Sequence, residues 1–340
     1  LDDIGFADPR SETIGVGQAL RASHTDGIVV SHRGQVVFEW YAHGLTPDTP
    51  HLIFSVSKSV AGTLGGILAD RGMLDPDAPV TRYIPEMEGS VYGGSCTVRH
   101  LLDMSVGIRF EEDYMARDGD VVNYRRSTGW EPPDPAVPPT NLRDYLRTLR
   151  PNGAPHGETF HYVSTNTDVL GWVYEHACGM SYAKILSQYL WQPMGAEHDA
   201  YITVDSRGAA RVAGGICATL RDLARFGEMM RNHGISNGRQ VVPGWWVDDI
   251  RQNGNAEAWS RGDLTKVFPN GNYRNKWYTL DRRETPFAAV GIHGQWIYID
   301  PAHETVIARV SSQPLPMDLD LDHMWMRGYR AIAARLGGDA

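Results

Sequence analysis

The alternation of apolar and polar positions changes character twice along the chain. Near the start, Thr13–Ser23 has helical spacing, and Gly27–Ala42 has the dense Val, Phe and Trp content of strands turning at Arg33–Gly34. His51–Phe54 runs directly into a long apolar segment of helical character, Ser55 to Arg71, which Gly72 should stop. From Asp75 to about Ala200 the pattern becomes helical pieces, among them Val98–Met104, Asn141–Leu149 and Asp168–His176. Pro-rich and Gly-rich loops such as Glu131–Thr140 separate them. Beyond Tyr201 a helix is expected over Leu220–Asn232, then strands at Arg274–Leu280, Phe287–Ile292, Gln295–Ile299 and Thr305–Ser311. A closing helix is expected over Asp322–Leu336.

Strands at both ends with helices between them predict an α/β chain of the α+β type, with one sheet built from the termini and a helical insert. The expected division places residues 1–84 and 200–340 in one domain and 85–199 in the other, with an active site at their interface.

Composition narrows the function. With 42% hydrophobic and 21% charged residues the chain reads as a soluble globular protein, and no apolar stretch reaches the roughly 18 residues of a membrane span. A net charge of −9 with scattered basic residues argues against nucleic acid and acidic membranes as partners. Cys96, Cys178 and Cys217 form no CxxC pair and read as reduced, buried thiols of a cytoplasmic protein. The thirteen histidines show no metal-ligand spacing, so no metal or cofactor is expected. A Walker A sequence and a Gly-x-Gly-x-x-Gly are both absent.

The strongest chemical signal is Phe54-Ser55-Val56-Ser57-Lys58. Ser55 would sit at a helix N-terminus, where free N–H groups favour negative charge on oxygen. Lys58 lies one turn on, within reach of that hydroxyl. Serine attacks poorly unless a neighbour takes its proton, and a desolvated Lys does this where Arg cannot. Only four lysines occur, Lys58, Lys184, Lys266 and Lys276, against 28 arginines. Ser-x-x-Lys is expected by chance about 0.2 times for this composition, yet it occurs twice. The second copy, Ser181 to Lys184, lacks the strand-to-helix junction and reads as helix surface. Spacing alone leaves Ser55 either a nucleophile or an N-cap.

Two further segments bear on this. Tyr162-Val163-Ser164 precedes a helix and reads as the rim of a cleft or as a capping loop, with Ser164 or Thr167 as the cap. Gly291-Ile292-His293-Gly294-Gln295 on a late strand would bring an N–H close to an oxyanion, or would form a β-bulge.

Together these segments resemble the penicillin-recognising serine hydrolases, the family of class C β-lactamases, DD-peptidases and related esterases. The resemblance also runs through Leu101-Leu102-Asp103-Met104, the stretch from Gly214 to Gly227, and Ile299-Asp300-Pro301. Around Ser55, Ser90-Val91-Tyr92, Glu112-Asp113-Tyr114, Arg126-Ser127, Gly129-Trp130 and Gly291 to Gln295 it is similar to the branch of nylon-oligomer hydrolases. This resemblance implies an antiparallel sheet flanked by helices. It makes Ser55 the acylated nucleophile, Lys58 its base, Tyr162 the proton relay, and the N–H groups of Ser55 and Ile292 the oxyanion hole. Tyr114 would lie over the substrate, with Trp130, Tyr278 and His293 as further pocket residues.

The departures shape the expected substrate. The Lys-Thr-Gly or His-Thr-Gly motif of the family's β-lactamases and peptidases falls on Ala289, Val290 and Gly291. Recognition of a β-lactam carboxylate is not expected there. Nylon-dimer hydrolases of this branch have an acidic residue at Arg125 and Asn at Ala213. A cation at Arg125 repels an ammonium, so an acidic or neutral ester or linear amide is the expected partner, with a homodimer left open. For Arg125 the alternative is a surface salt bridge with Asp118 or Asp120. For the whole chain the alternatives are a binding or sensor domain without turnover, and a β-lactamase or DD-peptidase.

Overall fold

Seven strands form one antiparallel sheet, in the spatial order Asn272–Arg274, Trp277–Thr279, Phe287–Gly291, Gln295–Asp300, Thr305–Ser311, Thr25–His32 and Gln35–Tyr41. In the computed structural model, which describes residues 4–8, 11–136 and 138–338, the two ends of the chain meet where Thr305–Ser311 pairs with Thr25–His32. Successive side chains of a strand point to opposite faces, and this alternation sorts two cores. Ile28 and Val30 pack with Leu321, Trp325 and Tyr329 of the helix Leu319–Gly337. Val29 faces the other way, toward Val60 and Leu64 of the helix Val56–Asp70 and Phe226 of Leu220–Arg231. Among the described residues between 85 and 199 there is no strand, and Thr165–Cys178 is the longest helix. No helix of the described residues is long and apolar enough to cross a membrane.

The helix Val56–Asp70 is buried on every side from Val56 to Leu68, as its unbroken apolar pattern demands. Gly72, with φ of +69°, ends it as expected. Its glycines are contact points. A Cβ on Gly62 would lie 2.0 Å from the Asn275 carbonyl oxygen, and one on Gly66 2.3 Å from the Trp246 ring. Ser59 Oγ donates to the Lys276 carbonyl at 2.7 Å, and the Trp277 indole donates to Thr63 Oγ1 at 3.1 Å. Gly62→Ala should therefore cost about 1–3 kcal/mol, because the obstructing atom is backbone and cannot rotate away. Urea unfolding reads this directly, and an unchanged midpoint would mean that the Asn275 turn yields freely.

Some expectations need correction. Thr13–Ser23 is not one helix: Ser11–Gly15 is a strand paired with Gly5–Asp8, and only Val16–Ala22 is helical. Burying Phe6 and Ile14 against Leu319–Gly337 outweighs the helical spacing. Arg274–Leu280 is not one strand, because the chain reverses at Asn275 and Lys276, both with positive φ, between Asn272–Arg274 and Trp277–Thr279. The closing helix begins earlier, at Leu319, where the Asp318 carboxylate caps the Leu321 N–H. The helices Asp120–Ser127 and Gly244–Gln252 carry no strong sequence signal. Cys178 and Cys217 are only half-buried, unlike Cys96, since the first ends a helix and the second lies on a three-residue strand. The loop Glu131–Thr140 lies within the described residues apart from position 137.

Candidate active site

The site starts at a strained residue. His51–Leu52 pairs with Cys217 and Ala218, and the chain then turns through Phe54, whose φ of +43° is unusual for a side chain branching at an aromatic ring. Ser55 follows as the N-cap residue of Val56–Asp70, yet its hydroxyl caps nothing. Ser55 Oγ lies instead 2.8 Å from Lys58 Nζ, which also donates to the Ala213 carbonyl at 2.7 Å. Lys58 is 2% exposed. Burial lowers its pKa to about 7, with the charge of Arg211 acting the same way and those of Glu112 and Asp168 opposing it. Ser181 and Lys184, the second copy of the spacing, are both exposed.

Gly291 lets a strand come close to this serine. A Cβ there would lie 2.8 Å from the Ile53 carbonyl oxygen and 3.1 Å from the Ser55 nitrogen. No bulge forms, because regular pairing continues from Phe287 with Ile299 to Gly291 with Gln295. Ile292, His293 and Gly294 make the turn, the last two with positive φ. His293 is tied down through its N–H to the Pro316 carbonyl and its Nδ1 to the Gln313 carbonyl. Among the described residues, the N–H groups of Ser55 and Ile292 donate no hydrogen bond.

Two carboxylates hold the segment from His161 to Ser164 that carries Tyr162. Asp263 accepts from the Tyr162 N–H at 3.1 Å and contacts His161 Nδ1 at 3.0 Å. Glu112 accepts from the Ser164 N–H at 2.5 Å and from its hydroxyl. Ser164 is thus the N-cap residue of Thr165–Cys178 by position, but its side chain serves Glu112 and makes no cap bond. The Tyr162 ring lies over Lys58, 5.1 Å from Nζ. Burial and the charge of Glu112 push its phenol well above the usual tyrosine range, and hydrogen bonding to Ser55 and Tyr278 pulls it down.

Two cavities meet at Ser55, Tyr114 and Ile292. The larger, of about 350 Å³, is also lined by Lys58, Arg125, Trp130, Ala213 and His293. The smaller, of about 70 Å³, is lined by Tyr162 and Tyr278. Every residue expected to act on or bind the substrate therefore lines one cavity or both. Phe54 forms an aromatic wall with His293, at 5.2 Å between centroids, and Trp130, at 6.0 Å. The Tyr114 hydroxyl donates to Glu112 at 2.8 Å. Arg125 does pair, but not with Asp118 or Asp120: its Nε lies 3.3 Å from Glu131, and its other nitrogens donate to the Tyr114 and Ala116 carbonyls. It sits in the last turn of the helix Asp120–Ser127, between the segment before that helix and Glu131 after it.

Three features escaped the sequence reading. Asp168 is buried and accepts from Arg211 at 2.9 Å, from the Ala213 N–H at 2.8 Å, and from the Tyr124 hydroxyl. It therefore anchors the residue whose carbonyl holds Lys58. Glu112 ties Tyr114 to Ser164. Lys276 is fully buried, with no hydrogen-bond partner for Nζ among the described residues, and burial together with Lys58 pushes its pKa well down. Glu112 belongs to the Glu112-Asp113-Tyr114 stretch and Asp168 to a helical piece, but no spacing marked either as facing the site. Among the described residues, no three His, Cys, Asp or Glu side chains group as metal ligands.

The chain is 41% identical over 299 residues to 6-aminohexanoate-dimer hydrolase of Paenarthrobacter ureafaciens, covering 88% of this chain and 75% of that one. It is 30% identical over 207 residues to esterase EstB of Burkholderia gladioli, covering 55% and 50%. Among solved structures, a Bacillus anthracis protein named after 6-aminohexanoate-dimer hydrolase superposes with a TM-score of 0.89 at 27% identity, over 99% of this chain and 86% of that one. The Beta-lactamase family model matches residues 16–329, and the chain belongs to this family of serine hydrolases, which has esterase and amidase relatives.

Proposed function

We propose that the protein hydrolyses carboxylic esters, and linear amides more slowly, through an acyl-enzyme on Ser55. The observation that carries this reading is the dry Lys58 amine, 2.8 Å from Ser55 Oγ and anchored by the Ala213 carbonyl. As a neutral amine, Lys58 takes the Ser55 proton while Oγ bonds to the carbonyl carbon. The N–H groups of Ser55 and Ile292 receive the oxyanion, each contributing about 3–4 kcal/mol in comparable sites. The carbon–oxygen or carbon–nitrogen bond breaks as Tyr162 gives its proton to the leaving group, and Lys58 returns a proton to Tyr162. Water then cleaves the acyl-enzyme by the same route in reverse. An alkoxide leaves with less help than an amide nitrogen, so esters should be the faster substrates. The two-lobe division fits this reading: Tyr114 and Tyr162 from 85–199 face Ala213 and Ile292 from 200–340 across Ser55.

Incubation with a slowly deacylated ester should add one acyl group to the peptide bearing Ser55, detected by mass. Steady turnover with an adduct elsewhere would remove Ser55 from this role. Poor β-lactam turnover is expected, since Ala289 and Val290 supply neither cation nor hydroxyl. The dimer of 6-aminohexanoate should also be cleaved slowly, because Arg125 lines the larger cavity and repels an ammonium.

The reading fixes the sign of a pH effect. The base must be unprotonated, and its pKa of about 7 places half of it in that form near neutrality. The kcat/KM for a neutral ester should rise with pH and level off above an apparent pKa near 7. A profile flat from acid to alkaline pH would remove Lys58 as the base.

A further inference from the structure

The smaller cavity contains one charged group that the chemistry above leaves unused. It is lined by apolar side chains, among them Val267, Phe268, Val290 and Met317, with Asp322 as its single carboxylate. Asp322 sits in the first turn of Leu319–Gly337 and is half-buried. Among the described residues its carboxylate forms no ion pair. Arg309, which attracts it through space, commits its N–H groups to Thr25, Ser23 and the Gly294 carbonyl. One hydrogen-bond donor stands beside it, facing the carboxylate. The Trp296 indole N–H, on a residue 1% exposed, lines the same cavity and has no hydrogen-bond partner of ordinary geometry among the described residues.

Burial raises the Asp322 pKa to about 6, helped by Asp318 and opposed by Arg309, the Trp296 N–H and His323. At neutral pH it is therefore mostly a carboxylate in an apolar limb, with the Trp296 N–H beside it and no ion-pair partner among the described residues. A helix-start acid accounts for a charge near Leu319. It does not account for the charge lining a cavity that opens onto the nucleophile. A buried charge lacking a counter-ion is costly, and a cation brought in by a ligand would relieve that cost.

Which arm of a substrate lies here follows from Tyr162. The phenol that protonates the leaving group lines this cavity and not the larger one. We propose that Asp322 binds an ammonium at the far end of the leaving group, so that the preferred substrates are esters or amides of short aliphatic amino alcohols or diamines. This rests on the acyl-enzyme reading and deepens it.

The test compares kcat/KM for ω-aminoalkyl acetates of increasing chain length with the matching alkyl acetates. In the wild type, one chain length should favour the amine by about tenfold, the scale of a charge-assisted hydrogen bond. In Asp322→Asn that ratio should fall to about one. Alkylammonium ions should also inhibit wild type more strongly than alkanols of equal length, a measurement that needs no variant. Ester turnover that depends on Ser55, with no amine preference and equal inhibition by ammonium and alkanol, overturns the Asp322 proposal alone. A preference seen only with ω-aminoacyl esters of simple alcohols overturns the choice of arm. Absence of any Ser55-dependent turnover rejects the underlying reading instead.

Discussion

Substituting Ser55 with Ala, or Lys58 with Met or Arg, should lower turnover of p-nitrophenyl acetate by roughly four orders of magnitude, and Ser55→Ala/Lys58→Met should be no slower than either. The prediction follows from the two groups acting as one unit. Without the hydroxyl there is nothing for the amine to deprotonate, and without the amine the hydroxyl stays protonated at neutral pH. What remains is the background from binding and the two N–H groups, which neither substitution touches. Lys58→Arg separates charge from basicity. It keeps a cation beside the developing oxyanion but holds its proton at any working pH. If charge were the contribution of Lys58, the Arg variant would retain most of the rate. Lys58→Met should fold at least as well as wild type, because it removes a buried amine from a site 2% exposed. Stopped assays on purified variants settle the matter, provided melting temperatures show folded protein. Additive losses in the double variant would mean that the two residues act at separate steps.

The fold was legible where pattern and burial agree. The apolar run from Val56 to Leu68 is helical because every side of it is covered, and the alternation in Thr25–His32 and Thr305–Ser311 matches the two cores of one sheet. It was less legible where two competing periodicities fit. Thr13 to Ser23 carries helical spacing, but tertiary burial of Ile14 turns its first residues into a strand. Trp277 to Leu280 looked continuous with Arg274 because no Gly or Pro marks the turn, and Asn275 and Lys276 adopt positive φ without one.

At the site, Ser55, Lys58 and Tyr162 could be read because their chemistry demands particular residue types. The residues that hold them could not. Asp103 of the Leu101-Leu102-Asp103-Met104 motif illustrates this: it binds Arg274 at 2.7 Å and the Asn275 N–H at 3.0 Å, fixing the turn against which Gly62 packs. A carboxylate that clamps a distant loop has no spacing signature, since its partner lies 171 residues away.

Asp168 is the most consequential of these hidden supports, and Asp168→Ala should cost about 3–5 kcal/mol of stability. Its partner Arg211 is 6% exposed and stacks over the Tyr124 ring at 4.2 Å. Deleting the carboxylate leaves that guanidinium buried with its countercharge gone and strips the Ala213 N–H of its acceptor. Activity should fall as well, since the Ala213 carbonyl holds Lys58 Nζ. The pH profile gives a readout that lost stability alone does not produce. Asp168 favours the charged form of Lys58 and Arg211 opposes it. Removing the acid while keeping Arg211 therefore lowers the Lys58 pKa further, and the acid limb should move below 7 rather than above it. Asp168→Asn keeps the shape and an oxygen for the Ala213 N–H while removing the charge. It should retain more activity than Ala and show the same direction of shift. A limb that stays in place in both variants, with stability lost, would reduce Asp168 to a structural anchor with no electrical influence on the amine.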